Sequence, residues 1–276
     1  MVNQLALALR LPEPGGFERF VADGNAEPLA ALQAWAAAEG QRYLYLHGPA
    51  GSGKSHLLQA ACRAVADRGG STIYLPLDQP DLLPAILEDL EQCSAVVIDA
   101  IDQKAGDAVW ERGLFDLYNR LQERNRRLLV AARVPPTNLG LGLPDLRSRL
   151  SAGAAYALRA LDETGCARLL QRGARQHGLL LDDAAVSYIL NRCPRNPAAL
   201  WRLLADLDRL SLERQRALTV RAIGDLLGLR PPAAGRTTDG IGSAPDLGDN
   251  SAGGQGQPQN QNDSRLENQR DSQVNA

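Results

Sequence analysis

The stretch Gly48-Pro49-Ala50-Gly51-Ser52-Gly53-Lys54-Ser55, followed by His56, decides the fold. It matches GxxxxGK[ST], and its surroundings are those the motif requires. Arg42 to His47 (RYLYLH) reads as a strand before it, and residues 54–67 read as a helix after it. Glycines let the backbone wrap phosphate groups with N–H groups turned inward, and the N-terminus of the following helix adds positive potential. In this reading Lys54 sits on the β/γ phosphates and Ser55 ligates Mg²⁺. Lys54 is one of only two lysines in a chain that otherwise places its positive charge on arginine, so composition alone does not account for a lysine here.

Working outward, Ala95-Val96-Val97-Ile98-Asp99 is an apolar run ending in a carboxylate, the expected partner of the loop, with Asp99 holding the Mg²⁺ through its water shell. Position 100, where many ATPases of this type place a second carboxylate to polarise water, is alanine; Asp102 follows two residues on. The sequence therefore indicates nucleotide binding without vigorous autonomous hydrolysis. Further strands are expected at 71–77, 127–132 and 156–161, and helices at 28–38, 82–90 and 107–124. Strands alternating with helices imply parallel crossovers and a helix-covered α/β sheet. After Leu161 the pattern turns wholly helical, at 162–177, 182–192, 196–211 and 219–228, as a small bundle.

The chain has 276 residues, 44% of them hydrophobic, with 30 basic and 32 acidic side chains, which disfavours a globally basic nucleic-acid binder. No apolar run approaches the ~20 residues of a membrane helix, and no basic leader precedes the short apolar N-terminus. Cys62, Cys93, Cys166 and Cys193 are dispersed without a CxxC, as expected of reduced thiols in a cytoplasmic protein. From Pro231 on, the chain is rich in Gly, Pro, Asn, Gln and Ser and has no aromatic residue, so 231–276 is expected to stay disordered. This tail holds six acidic residues and three arginines, which leaves 27 basic and 26 acidic groups in residues 1–230, a neutral body.

With the phosphate loop and Ile98-Asp99, several longer strings resemble the AAA+ ATPases of the DnaA initiator group, and within it the DnaA-homologous regulatory inactivators of replication. They are Gln4–Leu9 (QLALAL), Phe17-Glu18-Arg19-Phe20-Val21, Ser55-His56-Leu57-Leu58, residues 114–120 (LFDLYNR) and residues 139–150 (LGLGLPDLRSRL). The resemblance spans about residues 3–229. It implies an AAA+ P-loop fold: a clamp-binding segment at 1–15, an α/β nucleotide-binding domain at 16–161, a helical lid at 162–230, and the tail.

The resemblance also assigns roles. Gln4, Leu5, Leu7 and Leu9 resemble the short peptide that docks on the sliding clamp, the β subunit of DNA polymerase III; the same alternation also fits an edge strand packed on the domain. Arg149 aligns with the arginine that this family offers in trans to a neighbour's nucleotide, with Arg147 two residues away. Arg195 falls where the lid carries a nucleotide-sensing arginine, although Asn196 replaces the usual acidic residue and Pro197 follows. Phe20 and Val21 resemble the segment lining the adenine site, or serve as plain core. The strand ending Val130-Ala131-Ala132-Arg133 lacks the small polar residue and Asp usual there. Residues for binding are kept and those for self-catalysis are depleted.

The implied partners are DnaA and the clamp, with DNA reached only through the clamp, ADP or ATP with Mg²⁺ as cofactor, and self-association left open. No helix-turn-helix follows the lid, so sequence-specific origin recognition is not expected. The rival expectation is an autonomous P-loop ATPase acting as a helicase loader or transposition helper. A third is an adaptor in which nucleotide is only structural.

Overall fold

A computed structural model describes residues 15–214 and 223–224. The QLALAL segment, the 231–276 tail and all but two residues of the helix expected at 219–228 lie outside the described residues. Five strands, β1 (Tyr43–His47), β2 (Thr72–Pro76), β3 (Ala95–Asp99), β4 (Arg127–Ala132) and β5 (Ala154–Ala157), form one sheet in the order β2-β3-β4-β1-β5. Every pairing is parallel, with Leu46 opposite Ala131 and Tyr156, and Ile98 opposite Val130. Such a sheet has helices on both faces, which is why β3 up to Asp99 and most of β1 and β4 are apolar.

The period of two sorts those residues. Tyr43, Tyr45, Val96, Ile98, Leu128 and Val130 face α3 (Ala108–Glu123) and α4 (Pro144–Ser151). Leu44, Leu46, Val97, Leu129 and Ala131 face α1 (Ala26–Ala36) and α2 (Lys54–Ala66). A third cluster belongs to α5 (Glu163–Gln176), α6 (Asp183–Leu190) and α7 (Pro197–Arg214), built on Leu169, Leu170, Ile189, Leu200, Leu204 and Leu207. Aspartate begins three of these helices: the carboxylates of Asp107, Asp162 and Asp182 accept hydrogen bonds from first-turn N–H groups. The expected helix-covered parallel α/β sheet followed by a small helical bundle is thus the fold of the protein. No described helix is long and apolar enough to cross a membrane, and the four cysteines are free thiols.

Four local expectations change. The helix expected at 82–90 is two 3-10 turns, Pro84–Leu87 and Leu90–Gln92; Glu88 between them is extended and Asp89 is left-handed (φ 59°), so the helix cannot continue. The helix expected from Pro28 starts at Ala26, and the proline sits in the first turn, where its missing N–H costs nothing. The last strand runs over 154–157 instead of 156–161. Arg159 N–H donates to Asn25 Oδ1 at 2.8 Å, drawing the chain off the sheet. Helix α4 was not expected at all, because only Leu146 and Leu150 of its eight residues are buried.

One carboxylate fixes the segment that carries α4. Glu111 on α3 is 2% exposed and accepts N–H groups from Gly106 (2.7 Å), Gly142 (3.1 Å) and Leu143 (2.7 Å). Replacing it by alanine strands three donors and opens a cavity. Glu111→Ala is therefore expected to cost about 3 kcal/mol in urea unfolding, and an unchanged midpoint would contradict this role.

Candidate functional site

Strand β1 delivers the chain to the C-terminal edge of the sheet, where residues 48–53 turn before entering α2. Gly48, Gly51 and Gly53 have φ of 156°, 78° and 91°, a backbone that side-chain-bearing residues rarely adopt. Gly48 and Gly53 are also hemmed in, while Gly51 has room for ordinary contact. A Cβ on Gly48 would lie 2.3 Å from the Leu158 carbonyl oxygen, and one on Gly53 would lie 2.8 Å from the Phe20 ring. A Cβ on Gly51 would touch Asn196 Cβ at 3.4 Å. The loop is bounded by the segment before α1, the chain leaving β5 and the start of α7.

Within this wrap the Lys54 ammonium donates to the carbonyls of Gly48 (2.7 Å) and Pro49 (2.8 Å). Burial pulls its pKa below the ordinary lysine value; Asp99 and Asp102 oppose the shift, and Arg133 adds to it. Ser52 is 4% exposed, and its hydroxyl has no hydrogen-bond partner among the described residues; nor has Nε2 of His56. Burial lowers the His56 pKa, leaving a neutral imidazole at pH 7, stacked on Phe20 with centroids 6.3 Å apart. A cradle that excludes Cβ atoms, holds a lysine and contains an orphaned buried hydroxyl fits a phosphate group.

Asp99, 6% exposed, ends β3 beside the loop. Its Oδ1 accepts the Ala100 N–H and its Oδ2 accepts the Tyr74 hydroxyl, both at 2.8 Å. The Tyr74 hydroxyl also bonds the side chains of Ser55 and Gln59, and burial and Asp99 hold its pKa well above the usual phenol value. It thus joins the two residues expected at the metal. Sequence reasoning missed Tyr74; its signal was a polar-tipped aromatic in the strand expected at 71–77, next to the strand ending at Asp99. Among the described residues no cluster of three His, Cys, Asp or Glu side chains could hold a metal unaided. Mg²⁺ would rest on Ser55, Asp99 and the oxygens of its own phosphates, which suits a cation that keeps much of its water.

Ala100 is left-handed (φ 55°) and turns the chain into the 3-10 helix Ile101–Lys104. That turn settles the direction of Asp102. Its Oδ1 accepts the Arg133 N–H at 3.1 Å, and its Oδ2 lies 3.8 Å from Arg133 Nε. This carboxylate is engaged with the end of β4.

The other expected residues divide between locations. Phe20 packs on α2 while its neighbour Val21 packs into the lid core. Arg195 pairs with Glu163 at 2.8 Å and donates to the Leu190 carbonyl. Asn196 caps α7 by accepting the Ala199 N–H at 2.8 Å, and Pro197 takes the first helical position, where proline is favoured. Arg147 and Arg149 are exposed on α4, away from the loop.

Comparison with known proteins agrees with this architecture. Domain III of the replication initiation protein DnaA from Thermotoga maritima superposes with a TM-score of 0.67 and 20% identity, over 79% of this chain and 97% of that one. AMPPCP-bound DnaA from Aquifex aeolicus gives 0.61 and 21%, over 75% and 69% of the two chains. A RuvB variant from Thermotoga maritima gives 0.59 and 19%, over 78% and 72%. The fold, with its phosphate loop at the end of β1, is the one these DnaA and RuvB structures share. Residues 162–226 match the family described as Hda, lid domain. The rest of the chain is similar to these proteins in fold.

Tyr74→Phe removes the hydroxyl between Ser55 and Asp99 while keeping the ring. Mg²⁺-supported binding of a labelled adenine nucleotide is expected to weaken about tenfold, with binding in EDTA unchanged, since one charge-assisted hydrogen bond is lost at the metal. Equal weakening in both conditions would show that Tyr74 acts through loop stability instead.

Proposed function

We propose that this chain is a regulatory inactivator of DnaA. It binds ADP or ATP, docks on the sliding clamp of DNA polymerase III through Gln4, Leu5, Leu7 and Leu9, and stimulates ATP hydrolysis by DnaA, so restraining replication initiation. Arg149 carries the reading. It is exposed in the last turn of α4, without an ion-pair partner among the described residues, on the sheet face opposite α2 and the phosphate loop. A guanidinium so placed is turned away from its own nucleotide and free for a neighbour's.

The chain's own residues would divide the work. Gly48–Gly53 and Lys54 bind the phosphates, Ser55 and Asp99 hold Mg²⁺, and Mg²⁺ neutralises phosphate charge. The adenine lies toward Phe20, Val21 and His56, and Arg195 senses the nucleotide from the lid. The likeness to AMPPCP-bound DnaA supports an adenine nucleotide. With Ala100 in place of a carboxylate and Asp102 engaged by Arg133, water beside the loop lacks a free base, so self-hydrolysis is slow. In DnaA's site Arg149 would stabilise charge developing on the γ-phosphate. Docking on the clamp makes that encounter effectively intramolecular and confines it to active replication in the cytoplasm.

The alternative, an autonomous ATPase of the helicase-loader or transposition-helper type, draws on Asp102, whose charge reaches Lys54. One assay separates them: conversion of ATP to ADP on DnaA in the presence of clamp and primed DNA. Acceleration is expected with wild-type protein, with a loss of about 10³-fold in Arg149→Ala. Gln4→Ala with Leu5→Ala should lose it as well, while nucleotide binding persists in both variants. ATPase activity by the chain alone, raised by single-stranded DNA and indifferent to Arg149, would establish the alternative.

A further inference from the structure

A groove of about 480 Å³ lies between the segment before α1 and the outer face of α5, lined by Val21, Ala22, Asp23, Arg168, Gln171, Arg172 and Arg175. The three arginines recur at spacings of four and three. At about 100° per residue they share a wedge of roughly 60°, and at about 1.5 Å rise they stand roughly 6 and 4.5 Å apart along the axis. Like charges at these spacings repel and weaken a helix, and the helix C-terminus favours only Arg175, in the last turn of α5. Only Arg168 is neutralised, by Asp23 at 2.8 Å. Asp183, the acidic group nearest in hydrogen-bonding terms, accepts the Gln171 amide instead. The side chains of Arg172 and Arg175 have no hydrogen bond or ion pair among the described residues, and both residues are exposed.

We infer that this groove binds the sugar-phosphate backbone of DNA without regard to sequence, giving the protein a direct, salt-labile contact with DNA besides any contact made through the clamp. Guanidinium forks match phosphate oxygens in pairs, and a row of them follows a chain of evenly spaced anions. A protein partner fits the groove poorly. Protein interfaces centre on an aromatic or large aliphatic anchor, and here Val21 and Ala22 are the only apolar lining. Overall charge hid the groove, because the chain's acidic residues outnumber its basic ones.

The test is fluorescence anisotropy of a labelled DNA duplex of about 30 base pairs with the full chain, at about 50 mM salt and then at rising salt. Wild type is expected to bind, and Arg172→Ser with Arg175→Ser to bind at least about tenfold more weakly, with a log–log salt slope reduced by about 2. Arg112→Ser with Arg209→Ser removes the same charge from exposed arginines elsewhere and is expected to match wild type. Four results would overturn the inference: no binding by wild type, equal loss in both double variants, displacement of the duplex by saturating ADP, or better competition by poly-glutamate than by unlabelled duplex at equal charge. Displacement by ADP would assign the groove to the nucleotide site. The result is independent of the DnaA assay, since the groove variants leave Arg149 and the phosphate loop intact.

Discussion

The structure turns on the confinement of three glycines. Gly48, Gly51 and Gly53 need a left-handed or unusual backbone, and each lies against a different part of the chain: the Leu158 carbonyl, Asn196 of the lid and the Phe20 ring. A loop so enclosed is shaped from outside as much as by its own sequence. The enclosure depends on β1 standing between β4 and β5, so that the loop leaves an interior strand and not an edge strand. It depends also on Asn25, wholly buried, which ties the segment before α1 to the chain leaving β5 through hydrogen bonds to both N–H and C=O of Arg159.

The elements that carry the site were legible because their signals are local. A β-rich run, a glycine loop and a helix with Leu57, Leu58 and Val65 on one face need no distant information, and the strand ending at Asp99 is apolar up to that residue because helices cover both sides. What the sequence concealed depends on distant contacts. Helix α4 shows two buried leucines in eight residues and is held by Glu111, thirty-one and thirty-two positions away from the N–H groups it receives. Tyr74 takes its meaning from register, since pairing of β2 with β3 brings its hydroxyl to Asp99. The helix expected at 82–90 failed for a local reason, the left-handed Asp89, which apolar periodicity does not report.

The depleted side of the site has its own arrangement. Ala100 provides no carboxylate, and its left-handed backbone turns the chain so that Asp102 reaches the end of β4. There Asp102 takes the backbone N–H of Arg133 and lies near its guanidinium, so the end of β4 carries an arginine that faces this carboxylate. Charges of both signs are kept around Lys54, but they are committed to one another. Under the proposed function, such a site would keep the electrostatics of phosphate binding while its nearest carboxylates stay engaged elsewhere.

Glu111 has a mechanical consequence. Its two oxygens gather backbone groups from Gly106, in the loop after the β3 turn, and from Gly142 and Leu143, immediately before α4. A carboxylate buried between two loops cannot follow one without pulling the other, so it acts as a strut of fixed length. Glu111 thereby couples the loop that follows the turn after β3 to the helix that displays Arg149, so a displacement of one strains the hydrogen bonds of the other.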